Sequence, residues 1–269
     1  MRKICFAVLF CIGVGIFVFS CGMEVIYSIS EPVVTYNNPL YSSSDPLTWY
    51  FSFKTAAESD NSDLSFNGTD VYYRIYNNYS SLNTQRNAIL SVNSESNGNA
   101  AATRMIDTYK FQQLGTSAQN DKAVFFEGHN NSRVILRLKN YQNGISSTSA
   151  GYEELMRNRY TLNACVGYYA NSEASGYTYE SYIPYRNSAV GAKSFDFFDY
   201  DSDNTGGTRD VEPVSGDSDY EYSSASAFSE SDCYYVQLFA VSRAWNTNSV
   251  SPVYSLVLDL GSVPIRKGE

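Results

Sequence analysis

The chain has 269 residues and a net charge of -9, with 28 acidic against 19 basic side chains and a single histidine. An acidic chain without a Lys/Arg-rich run excludes nucleic acid as a partner and offers nothing to attract anionic lipid headgroups. The length supports a large buried core, and 24 Tyr with 15 Phe suit the half-buried pleated surface of a β-sheet.

The N-terminus carries Arg2 and Lys3, then an uncharged apolar run from Ile4 to Phe19, then Ser20-Cys21-Gly22. A positive head, a short apolar centre and a small-residue exit make residues 1–20 a secretory signal. The run falls short of the ~20 apolar residues that span a bilayer comfortably. Val18-Phe19-Ser20-Cys21 resembles the processing motif of bacterial lipoproteins. Phe19 stands where the common pattern has a small residue, as in the relaxed versions found in spirochaetes. The resemblance implies a diacylglycerol thioether on Cys21, cleavage before it, acylation of the new amine, and an exported chain anchored to the inner or outer membrane of the cell envelope. Two or more acyl chains anchor firmly where one binds marginally. Ordinary signal cleavage at the same bond is the alternative. Residues 21–45, with Pro32, Pro39 and Ser42-Ser43-Ser44, read as a flexible spacer.

Beyond the spacer, period-two alternation dominates. Trp49, Phe51 and Phe53 alternate with Tyr50 and Ser52; Val134, Leu136 and Leu138 with Arg133, Arg137 and Lys139; Tyr254, Leu256, Leu258 and Leu260 with Ser255 and Asp259. Each pattern predicts a strand with one face to a core and one to water. Val71–Tyr76, Leu162–Tyr169 and Cys233–Arg243 are apolar on both faces and predict central strands covered on both sides. Asn67-Gly68, Gly128–Asn131, Gly206-Gly207 and Asn246–Asn248 read as the turns between strands. Helical signal is confined to 100–109, with Asn99 as cap, and to Glu153–Arg159. The reading is all-β: an antiparallel β-sandwich over 46–262 with at most one or two short helices and a tail at 263–269. A membrane barrel would need even alternation and aromatic girdles throughout.

Leu47–Phe53 with Val71-Tyr72-Tyr73-Arg74-Ile75-Tyr76 resembles the second and third strands of fibronectin type III modules. Tyr235–Arg243, with its Tyr-x-Val-x-x-x-Ala-Val-like pattern, and Asn248–Leu260 resemble the last two. The resemblance implies one sandwich whose ends come together around a long internal elaboration at about 80–232, since such modules have about 100 residues. A two-domain chain divided near Asn120 is the alternative.

Cys5 and Cys11 leave with the signal. Cys165 and Cys233 remain, an even pair in an oxidising compartment, and read as a disulfide. Asp199, Asp201, Asp203 and Asp210 stand at positions 1, 3, 5 and 12 of an acidic loop, the ligand spacing of a calcium site. Asn204 replaces the usual Gly there and Asp210 the longer Glu; a solvated acidic turn is the competing reading. Asn67, Asn78 and Asn130 open acceptor-type Asn-x-Ser/Thr triplets that read as turns. His129 sits in a polar turn, so a Ser-His-Asp triad has only one histidine to draw on, and no Gly-x-Ser-x-Gly appears. Trp49 reads as core. Trp245 closes a strand beside a polar loop and reads as edge packing, with a ligand anchor as the alternative. The expectation is a non-catalytic envelope lipoprotein, a protein- or glycan-binding or envelope-assembly module. Its alternatives are a carbohydrate-binding module with structural calcium and a hydrolase using paired acids.

Overall fold

The computed structural model describes residues 27–34, 50–57, 62–116, 130–139, 165–169, 179–182, 184–188, 191–195, 197, 212–224 and 233–266. In chain order the strands are β1 (Val33–Val34), β2 (Phe51–Lys54), β3 (Leu64–Tyr76), β4 (Gln112–Gln113), β5 (Gly115–Thr116), β6 (Arg133–Arg137), β7 (Cys165–Tyr169), β8 (Tyr179–Tyr182), β9 (Pro184–Ser188), β10 (Gly191–Lys193), β11 (Tyr220–Glu221), β12 (Cys233–Asn246), β13 (Ser251–Tyr254) and β14 (Leu258–Arg266). Two helices, α1 (Tyr79–Leu90) and α2 (Gly98–Thr103), lie between β3 and β4, and a π-helical turn, Arg104–Thr108, extends α2.

One sheet runs β1-β2-β6-β7-β8, antiparallel throughout. The other is built on β3 and β12, which pair antiparallel along almost their whole length. On its far side β12 pairs with β14 and then with β13. β4 and the parallel β11 flank β3, and β9 joins β10 to β5.

Alternation along β3 and β12 creates two cores on opposite faces of that long sheet. Val71, Tyr73, Ile75, Val236, Leu238 and Ala240 point inward, with Leu260, Val263 and Ile265 of β14, and meet Phe51, Phe53, Val134, Leu136 and Leu138 of the facing sheet. Burying each such side chain stabilises the fold by about 1.5–3 kcal/mol. Tyr72, Tyr76, Tyr235, Phe239 and Val241 point the other way, against Leu82 and Ile89 of α1, Ala101 and Ala102 of α2, Met105 and Phe111. Expected coverage on both faces therefore holds for β3 and β12, and the layer on the second face is helical. The elaboration between β3 and β12 supplies that layer and three strands of the facing sheet.

Several local expectations are corrected. Asn67-Gly68 does not separate strands. It lies inside β3 as a bulge, with Gly68 opposite Arg243 and Phe66 opposite Ala244, and Gly68 takes the φ of 126° that side chains avoid. Tyr254–Leu260 is not one strand, because residues 255–257 break it into β13 and β14. The tail expected at 263–269 instead continues β14 to Arg266, with Val263 and Ile265 buried. Arg137 and Lys139, expected in water, are each 1% exposed; Arg137 lies over the Tyr50 ring at 5.7 Å. Ser52 is buried as well.

The spacer is also shorter than expected. Ile29 packs with Leu64, Ala244 and Val253, and Tyr27 and Phe66 close over them. Val33 and Val34 pair with Lys54 and Phe53, so packed and paired residues reach back at least to residue 27 rather than starting at 46.

Helix α1 carries almost no sequence signal, being rich in Ser, Asn and Thr, which favour caps and turns. Asn78 caps it, its side chain accepting from the Ser81 N–H at 3.1 Å. The helix expected over 100–109 begins two residues earlier, at Gly98. Asn99 is not its cap: its side-chain oxygen accepts from the Tyr254 N–H at 2.6 Å. Glu153–Arg159 lie outside the described residues. Among the described residues no helix is long and apolar enough to cross a membrane.

Candidate functional site

Two clusters of buried polar side chains stand out, and neither announces itself by sequence spacing. The first joins β9 to the loop before β11. The Arg186 guanidinium donates from Nε to Asp219 Oδ2 at 2.8 Å and from Nη2 to Asp219 Oδ1 at 2.7 Å. Nη2 also donates to Asp217 Oδ2 at 2.7 Å. The Tyr73 hydroxyl donates to Asp219 Oδ2 at 2.6 Å, and the Val214 N–H to Asp217 Oδ2 at 3.1 Å. The side chains of Arg186 and Asp219 are fully buried, and Asp217 nearly so. Burial opposes the Asp217 charge, but Arg186 and the Val214 N–H outweigh it and hold its pKa below the usual carboxylate value. Burial likewise opposes the Arg186 charge, and Asp219 and Asp217 more than restore it. Lys193 Nζ lies 4.0 Å from Asp217 Oδ1, and the two carboxylates gathered on the forked Arg186 guanidinium form a structural clasp.

The second cluster lies on the helix-covered face of the long sheet, where the helical layer ends. Along that face the pairs run Tyr76–Tyr235, Arg74–Gln237, Tyr72–Phe239, Asp70–Val241 and Gly68–Arg243. Asp70 is 0% exposed. It accepts a short hydrogen bond from Gln113 Nε2, which also donates to the Tyr72 hydroxyl at 3.2 Å, while its Oδ1 has no partner. Burial pushes the Asp70 pKa up to about 7; the Arg243 charge, the Gln113 bond and the Val71 N–H only partly oppose it. Burial, followed by the charges of Asp70 and Tyr254, raises Tyr72, so its phenol keeps its proton. Tyr254 is raised by burial as well. Asp70, Gln113, Tyr72, Tyr254 and Arg243 thus hold a carboxylic acid whose proton is labile near neutral pH.

Beyond Arg243 the face is bare. Trp245 lies opposite Ser65 and Pro252, all three are exposed, and Trp245 is 41% exposed. Trp245 therefore packs less than its strand position suggested.

Of the sites expected from sequence, Cys21, Trp49, His129, Asp199, Asp201, Asp203 and Asp210 lie outside the described residues. Among the described residues no three His, Cys, Asp or Glu side chains gather as a metal ion requires. Cys165 opens β7 in one sheet and Cys233 opens β12 in the other. No disulfide is formed among the described side chains, and only the backbone of Cys165 is described, so their pairing stands as a proposal. Of the three acceptor-type asparagines, Asn67 is in the β3 bulge, Asn78 caps α1, and Asn130 alone occupies a turn. Sequence reasoning missed Asp70 and Arg186. The one available signal was a charge inside an otherwise apolar strand run, at Asp70 before Val71–Tyr76. Comparison of the chain with protein-family models, with curated proteins and with solved structures finds no match.

Proposed function

We propose that this chain is a non-catalytic, membrane-anchored lipoprotein of the bacterial cell envelope, whose β-sandwich is a binding module for a protein or glycan partner. The observation that carries the reading is the Arg2–Cys21 signature, followed six residues later by Tyr27, which packs against the sheet. The sheet order supports kinship with fibronectin type III and immunoglobulin-type sandwiches. β3-β12-β14 reproduces the C-F-G order of such folds, and β1-β2 faces it as A-B. The departure is that β6, β7 and β8 extend outward from β2 in chain order. A binding module of this architecture works through its strand edges and loops. Here β8 is the last strand of its sheet among the described residues, an edge available to an extended peptide.

The test is intact-mass analysis of protein purified from membranes, paired with C21S. The expected mass is that of a chain beginning at Cys21 plus acyl groups, and C21S is expected to leave the membrane fraction. Met1 still attached, or an unmodified Cys21, overturns the anchoring. Pull-down of the lipidated protein from envelope extract tests the binding role, and a bound species lost on disruption of β8 is the expected result.

A further inference from the structure

The geometry points to a second membrane contact: the β12–β13 hairpin tip, led by Trp245 and Val250, rests in the headgroup layer of the bilayer that holds the N-terminal anchor. The inference rests on the anchoring proposed above and adds to it an orientation and a lipid-binding surface.

Tether length decides the orientation. Cys21 and Tyr27 are six residues apart, which limits their separation to about 20 Å even when the chain is fully extended. Tyr27 packs at one particular end of the long sheet, with Ile29, Leu64, Ala244 and Val253. That is the end where β3 starts, β12 finishes and β13 begins. β12 has 14 residues and is about 45 Å long at ~3.3 Å per residue. A tether less than half that length cannot reach the membrane from the far end, where Cys233 lies. The Tyr27 end therefore faces the bilayer, and the β12–β13 hairpin belongs to that end: Thr247 N–H donates to the Asp63 carbonyl just before β3.

The surface presented there suits a headgroup layer. Residues 245–252 carry no charge. Trp245 and Val250 are 41% and 68% exposed, and Pro252 is exposed beside Trp245. Tryptophan favours the membrane interface, where an apolar ring and a polar N–H are both accommodated. Asp63 is an exposed acid beside Thr247, so the contact suits neutral phosphatidylcholine headgroups rather than anionic lipid.

Val250 supplies an independent indication. It occupies φ 54°, a left-handed conformation that β-branched residues rarely adopt. Asn246 fixes the turn, its side-chain oxygen accepting from the N–H groups of Asn248 and Ser249 and its carbonyl from that of Val250. A glycine or asparagine at position 250 would carry less strain and expose less apolar surface. An apolar residue in a strained, exposed position fits a surface that buries it.

Trp49 and Trp245 are the only tryptophans, so fluorescence reads the contact directly. The full lipidated protein is reconstituted into phosphatidylcholine vesicles whose acyl chains are brominated near the headgroup. W49F reports Trp245 alone, and W245F supplies the same information by difference if W49F fails to fold. The expected result is a blue-shifted Trp245 emission that the brominated lipid quenches and W245F removes. V250N is expected to fold with equal or greater stability while the quenching of Trp245 weakens. Trp245 emission indifferent to brominated lipid, on a sample whose mass shows the acyl chains in place, overturns the contact and leaves the anchor standing. Shielding of Trp245 from both brominated lipid and aqueous acrylamide also overturns it, in favour of a protein partner. A sample without acyl chains on Cys21 overturns the tether and the contact together.

Discussion

Replacing Asp70 by asparagine should make the protein more stable at pH 8 and change it little at pH 4. In the folded chain the Asp70 carboxyl is wholly buried and its pKa is pushed up to about 7 from 3.8, burial outweighing Arg243, Gln113 and the Val71 N–H. The unfolded chain loses this proton near pH 4 and the folded chain near pH 7. Between those values the folded state binds more protons, so stability attributable to this site falls as pH rises. Three pH units at 1.36 kcal/mol each set the loss at about 4 kcal/mol. Asparagine keeps the shape and still accepts the hydrogen bond that Gln113 donates, but it does not ionise. Its own amide N–H groups gain no evident partner, which costs about 1 kcal/mol. Urea titrations of both proteins from pH 4 to pH 8 should therefore show D70N starting about 1 kcal/mol below wild type and ending about 3 kcal/mol above it. Taking the difference between the two proteins cancels the other carboxylates, including Asp217, whose lowered pKa acts in the opposite sense. A difference that stays flat, or falls with pH, would refute the assignment of a raised pKa to Asp70.

Arg186→Ala leaves Asp217 and Asp219 buried without their cation and should destabilise the fold by about 3–5 kcal/mol in urea unfolding at pH 7; a loss under 1 kcal/mol would mean that water reaches the clasp. Asn78→Ala removes the cap of α1 and should cost about 1 kcal/mol, with loss of hydrogen-exchange protection confined to the first turn; unchanged protection would deny Asn78 that role. The proposed Cys165–Cys233 bridge predicts that neither cysteine takes up iodoacetamide in unfolded, unreduced protein. Labelling of either one refutes the bridge, and reduction of an existing bridge should lower stability by about 4 kcal/mol in the chain-entropy model.

Much of the sandwich was legible because its signals are local. Phe51 and Phe53, Val134, Leu136 and Leu138, and the doubly apolar runs 71–76 and 233–243 mark strands and even which strands lie in the middle. Helix α1 was not legible. Only Leu82 and Ile89 of its residues are buried, and its stability comes from Tyr76, Tyr235 and the Arg86–Asp259 ion pair rather than from propensity. Arg186, Asp217 and Asp219 were not legible either, because nothing in their spacing shows that β9 and the loop before β11 meet.

Side-chain period is a property of neighbouring positions. The chain by itself therefore determined the strand-rich class and the two-faced burial of β3 and β12. What covers each face, which carboxylates are neutralised, and which end of the sheet receives Tyr27 depend on residues distant in the chain, 31 positions apart for Arg186 and Asp217. Only the tertiary structure decided those, because desolvation and ion pairing are set by whatever folds alongside a side chain and not by what precedes it.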